Sequence, residues 1–142
     1  RGCLEAYTSG PNIAARAREG LEREESSILL QLVDGDLQAI TAETVYDAVL
    51  HGDTFAMDLM RETAELLGIG LANVVNLFNP QMIVLVGGVT RAGAYLFTPL
   101  LESVKQRAFP SAVGACRIVP GALPDTAGVV GAAGVFVIDR VA

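Results

Sequence analysis

The chain is poor in the residues that build disulfide frameworks and metal centres. Its 142 residues include two cysteines, Cys3 and Cys116, and one histidine, His51. Two cysteines so far apart make no disulfide framework and suit a reducing compartment such as the cytoplasm. His51 falls in the last turn of an expected helix, just before Gly52. That position favours a cation, and no partner for catalysis or metal binding stands near it in sequence. Basic residues are also few, 10 against 16 acidic, and the net charge of −6 argues against a nucleic-acid surface in this segment. Long apolar runs are missing too. Asn, Gly, Pro or charged residues interrupt every stretch before it reaches the ~18 residues of a membrane span. Yet 51% of the chain is apolar and its mean hydropathy is +0.45, which points to extensive burial, an oligomer interface included. No nucleophile stands beside a base, and no G-x-x-x-x-G-K-[ST] loop occurs, so no catalytic residue is assigned.

What is present fits one domain with a real core. The richest stretch spans residues 71–89, LANVVNLFNPQMIVLVGGV. It reads as the end of an amphipathic helix, a turn at Asn79-Pro80, an apolar strand, and a glycine pair. Proline closes the helix because the residue before it is pushed out of the α region. The strand, residues 81–86, is apolar enough for a sheet covered on both faces. Gly87 and Gly88 follow at its carboxyl end, where open α/β sheets bind ligands. Without Cβ atoms they let the backbone approach a nucleotide and take up positive φ. A lone Gly-Gly is more often a plain tight turn, so its company matters.

The remaining elements are mostly helices. Gly10-Pro11 starts one whose buried side carries Ile13, Ala14, Ala17 and Leu21. The acid-rich Glu22-Arg23-Glu24-Glu25, like Glu62 and Glu65, reads as a solvated face. Residues 28–33 form a short helical or extended piece ending at Asp34-Gly35-Asp36, a turn and not a calcium loop. Thr41 caps a helix with Val45, Ala48 and Val49 inside; Gly52 ends it and Asp53 caps the next. The spacing of Phe55, Leu59, Thr63, Leu66, Leu67, Leu71, Val74, Val75 and Phe78 predicts a buried helix stripe over 54–78. Gly68 and Gly70 within it each cost about 1 kcal/mol against alanine, which marks a close backbone neighbour or a kink. Thr98-Pro99 is expected to open a helix through Ala108, with Arg117-Ile118-Val119 as a second strand and Cys116 in the core at its start. A small-residue helix over 128–141 is expected to pack on the sheet. Two strands alone make no stable sheet of this kind.

Four motifs together resemble one family. Arg1-Gly2-Cys3-Leu4-Glu5-Ala6-Tyr7-Thr8-Ser9-Gly10 is similar to the tail of the C-x-C-G-x-x-G-C-x-E pattern of the ROK family (repressors, open reading frames and sugar kinases). The helix ending at Asn79-Pro80, the strand with Gly87-Gly88-Val89, and Pro124-Asp125-Thr126-Ala127-Gly128 before Gly131-Ala132-Ala133 follow in the family's order. The resemblance covers essentially the whole chain, with the glucokinase branch nearest.

The resemblance implies an α/β fold, the helix-rich C-terminal half of an actin-like, ribonuclease-H-like ATPase. It implies that the phosphate-binding D-x-G-x-T loop and the catalytic aspartate precede Arg1, so that the chain is part of a longer protein. The activity implied is ATP- and magnesium-dependent phosphorylation of a hexose, with a sugar-responsive transcriptional repressor as the alternative and a bare oligomerisation domain as a blander one. Glu5 takes the position that hydrogen-bonds sugar hydroxyls, a job suited to a carboxylate accepting from two of them; alone it would read as a helix-start acid. Gly87 and Gly88 line the nucleotide side, although many members carry three glycines and Val86 stands in the first place. Thr90 is a candidate hydroxyl contact. Asp125 caps the last helix. Cys3 is the last ligand of a structural zinc whose histidine and other two cysteines lie upstream, and one cysteine holds no such zinc alone. A cytoplasmic homo-oligomer, dimer or tetramer, completes the expectation.

Overall fold

Asp53 shows how local chemistry places the longest element. In the computed structural model, which describes residues 2–23, 26–123 and 126–141 and side chains as far as Val135, its Oδ1 accepts from the Ala56 N–H at 2.8 Å and its Oδ2 from the Ile28 N–H at 2.8 Å. One buried carboxylate thereby caps helix α5 (Thr54–Phe78) and ties it to the loop before α3 (Leu29–Leu32). At the other end Asn79 adopts the left-handed conformation, φ 44°, ahead of Pro80, as the sequence led us to expect for a helix stop. Two further caps agree with expectation. Thr41 forms a reciprocal capping box with Thr44 at the start of α4 (Ala42–Leu50), and Gly52 takes φ 78° after it.

The other described elements are α1 (Glu5–Thr8), α2 (Gly10–Glu22), a 3-10 turn Leu37–Ala39, β1 (Met82–Leu85), a 3-10 turn Gly88–Ala92, α6 (Ala94–Arg107), α7 (Pro110–Ala115), β2 (Arg117–Pro120) and α8 (Ala127–Val141). Strands β1 and β2 pair in parallel, Met82 opposite Arg117 and Leu85 opposite Pro120. The core lies between helices. Ile13, Ala17, Val45, Val49, Met60, Val75, Leu96 and Leu100 are buried within it. Helices α5 and α6 run side by side in the same direction. The Ser103 hydroxyl donates to the Glu65 carbonyl at 2.9 Å, and the Arg107 carbonyl accepts from Asn76 Nδ2 at 3.3 Å.

Gly68 makes this approach possible. A Cβ there would stand 2.5 Å from Ser103 Cβ and 2.8 Å from the Leu100 carbonyl oxygen, so its cost in helix propensity is offset by close packing. Gly68→Val is expected to lower unfolding stability by about 1–3 kcal/mol or more, read in a denaturant titration of the full-length protein.

Several expectations require correction. Helix α6 begins at Ala94, four residues before Thr98, and carries Pro99 inside it. Gly93 serves as its N-cap, and the fully buried Leu96 and Leu100 hold the first turns on the core, against a proline penalty of about 3 kcal/mol. The stripe of α5 stops short of the end: Val74 is exposed and Phe78 is 70% exposed. The described residues cover strand β1 on one face. Ile83 and Leu85 pack on the core, whereas Met82, Val84 and Val86 are exposed because no described element lies over them. The described side chains of α8 are not tightly packed either: Val129 is 75% exposed, and a Cβ built at Gly128, Gly131 or Gly134 meets no neighbouring side chain or strand within 4 Å. The capping role expected of Asp125 lies outside the described residues.

Candidate functional site

The carboxyl end of β1 opens onto a cleft of about 1100 Å³. Its walls come from α1, α2, the first turns of α4 and residues 85–92, with isolated residues of α5 and α6 behind them. Glu5, Gly87 and Gly88, placed far apart by sequence, all border this one cleft. Cys3 does not. It is exposed and unpaired two residues before Glu5, and Cys116 is half-buried beside β2 against the core.

Only Gly87 of the glycine pair has a positive φ, 107°, so it alone is required by the backbone; Gly88 opens the following 3-10 turn. A Cβ built at either meets nothing within 4 Å, which leaves the space beside both glycines free for a ligand. Thr90 fixes this loop from inside. Its N–H and hydroxyl both donate to the Gly87 carbonyl, at 3.0 and 2.8 Å. The buried hydroxyl thus shapes the loop through its proton, while its lone pairs stay available to accept in the cleft that Thr90 lines. After β2, the Gly121 N–H donates to the Leu85 carbonyl at 2.7 Å, so the two strand ends are held together below the glycine loop.

Glu5 is exposed at the first position of α1. Thr8 and Ser9 continue the same cleft wall. The same cleft is lined by residues that the sequence did not single out: Glu43, Tyr46 and Asp47 from α4, Arg18 from α2 and Arg91 from the 3-10 turn. The signal for three of them was available, because positions 43, 46 and 47 share one face of a helix whose cap was recognised. Arg18 donates to the Ile40 carbonyl at 3.0 Å, and Arg91 stands 3.6 Å from Glu43 across the rim. Both members of that rim pair are exposed, and it contributes at most about 1 kcal/mol. The cleft therefore offers carboxylates suited to polyol hydroxyls beside a glycine loop suited to close backbone approach.

His51 sits at the end of α4, exposed, with Nδ1 2.8 Å from the Asp47 carbonyl. Glu62 is more than a solvated acid, since it pairs with Arg16 of α2. Among the described residues no group of three or more His, Cys, Asp or Glu is arranged to hold a metal ion. A single thiol from Cys3 does not by itself make a structural zinc site.

The sequence pattern of the ROK family matches residues 1–138, nearly the full chain. This chain belongs to the ROK family. It is 36% identical over 136 residues to the glucokinase of Thermotoga maritima, covering 96% of this chain and 43% of that protein. It is 34% identical over 110 residues to the DNA-binding transcriptional repressor Mlc of Escherichia coli, covering 78% of this chain and 26% of the repressor. The solved structure of a Streptomyces griseus ROK family glucokinase in complex with glucose and AMPPNP superposes with a TM-score of 0.79 at 32% identity, over 95% of this chain and 44% of that one. The chain thus spans less than half the length of the relatives it matches. Its architecture is the helix-rich portion of the actin-like ATPase fold of ROK sugar kinases. No described helix is long and apolar enough to cross a membrane.

Proposed function

We propose that this ROK chain is part of an ATP-dependent hexose kinase acting on glucose. One observation carries the reading: Glu5 and the Gly87-Gly88 loop, assigned to different ligands, border the same cleft. Phosphoryl transfer is chiefly positioning and charge stabilisation, so a sugar-binding carboxylate and a nucleotide-accommodating loop belong on one cavity. Glu5 accepts hydrogen bonds from sugar hydroxyls. Gly87 and Gly88 leave room for the nucleotide of ATP, whose bound magnesium supplies charge neutralisation at the phosphates. No residue here is assigned as the base; in this reading that aspartate, with the D-x-G-x-T loop, belongs to the rest of a longer protein. Purified 1–142 is therefore expected to show no glucose phosphorylation in a coupled ADP-release assay, and measurable turnover would return the catalytic machinery to this chain.

A second reading, an effector-binding portion of a sugar-responsive repressor, draws support from the similarity to Mlc. The open space beside Gly87 and Gly88 favours the kinase, because a repressor has no need of a nucleotide site.

Cys3 belongs to the same proposal as one of four zinc ligands in the full-length protein. Cys3→Ser is expected to lower zinc content, measured by metal analysis after dialysis, and to lower the melting temperature with it, since ligation and folding are coupled. Full zinc occupancy in that variant would leave Cys3 as a surface thiol. We place the protein in the cytoplasm as a homo-oligomer, dimer or tetramer. The two unpaired cysteines and the exposed apolar side chains of Leu77, Phe78 and Phe109 support this placement.

A further inference from the structure

We infer that Asn12 and Arg16 of α2 are positioning residues that hold Glu5 in its sugar-facing geometry; this rests on the reading of Glu5 given above. Helix α1 is one turn long, four residues, with no side-chain hydrogen bond at its N-cap. Helices shorter than about 12–15 residues are marginal by themselves, so the placement of Glu5 depends on what grips α1 from outside. Two side chains of α2 do so. Asn12 Nδ2 donates to the Glu5 carbonyl at 3.1 Å and to Ser9 Oγ at 2.8 Å. Arg16 Nη1 donates to the Tyr7 carbonyl at 3.0 Å and to Thr63 Oγ1 at 2.9 Å, while its Nη2 pairs with Glu62.

The far end of this bracket is rigid. Thr63 is fully buried in α5 and its hydroxyl donates to the Leu59 carbonyl at 2.7 Å. Arg16 thus transmits the position of the core helix to the backbone of α1, and only 18% of its side chain is exposed. A guanidinium serves because its planar fork reaches a carbonyl, a hydroxyl and a carboxylate together; a lysine ammonium does not span that set. On the opposite side Leu4 sits against Gly70, where a Cβ would approach Leu4 Cδ2 to 2.7 Å. Asn12 and Arg16 are absent from the cleft wall that contains Glu5, so they act from behind it.

The test uses the full-length protein titrated calorimetrically with glucose and, separately, with AMPPNP. Arg16→Lys is expected to weaken glucose binding about five- to tenfold and Asn12→Ala about threefold, with AMPPNP affinity unchanged within about twofold. In a Glu5→Gln background, Arg16→Lys should add nothing further, because the group it positions is already gone. Asn12→Ala removes only partly exposed hydrogen bonds and serves where Arg16→Lys folds poorly. Equal weakening of both ligands, or full additivity with Glu5→Gln, makes the bracket a general stability device and overturns the inference. Glucose binding that resists both α2 substitutions but falls in Glu5→Gln overturns the positioning role alone. Glucose binding that survives Glu5→Gln overturns the sugar-site reading and this inference with it.

Discussion

Glu5→Ala in the full-length protein is expected to weaken glucose binding by about one to two orders of magnitude while AMPPNP binding stays unchanged. A carboxylate accepting from sugar hydroxyls makes charge-assisted hydrogen bonds worth roughly 1.5–3 kcal/mol, and alanine offers nothing in their place. The substitution is also structurally mild. Glu5 is exposed, and the bonds that hold α1 run through its backbone carbonyl to Asn12 and not through its side chain. The fold should therefore survive, and the loss should be confined to the sugar. Calorimetric titration with both ligands checks this; equal losses for sugar and nucleotide would show damage to α1 and not the removal of a contact.

Gly88→Val is expected to do the reverse, weakening AMPPNP binding by about ten- to a hundredfold with glucose binding largely intact. Gly88 has no positive φ, and a Cβ there meets nothing within 4 Å in the free protein. The branch point of a valine is thus accommodated, and what its side chain fills is space beside the loop assigned to the nucleotide. Overfilling a packed site by several methylenes costs about 1–3 kcal/mol, which sets the expected range. Gly87→Val is the less informative variant, since its φ of 107° adds backbone strain of about 1–3 kcal/mol whatever is bound. Unchanged nucleotide affinity in Gly88→Val would move the nucleotide away from this loop.

The sequence carried its helix signals in local chemistry, which is why they transferred well. Thr41, Gly52, Asp53 and Asn79-Pro80 act on their own neighbours, and each stands where capping and stop rules put it. Gly68 was legible as a close approach because an unfavourable residue inside a long helix demands a compensating contact. What stayed hidden depends on partners distant in sequence. Pro99 read as a first-turn residue, yet the burial of Leu96 and Leu100 extends the helix past it. The apolar strand 81–86 read as covered on both faces, and the described residues cover one. Among candidate site residues, Glu5, Gly87 and Gly88 came from motifs. The Arg16 bracket came only from three-dimensional packing, and the α4 face of Glu43, Tyr46 and Asp47, regular in its spacing, needed the fold to bring it to the cleft.

The central claim is that one cleft of this ROK chain serves both a hexose and a nucleotide in the full-length protein. Its most direct test is a pair of equilibrium titrations of that unmutated protein, with glucose alone and with AMPPNP alone, followed by an assay for glucose phosphorylation with ATP and magnesium. The account predicts saturable binding of both ligands and phosphorylation of the sugar. Saturable glucose binding with no AMPPNP affinity and no phosphorylation contradicts it and leaves the repressor reading in its place.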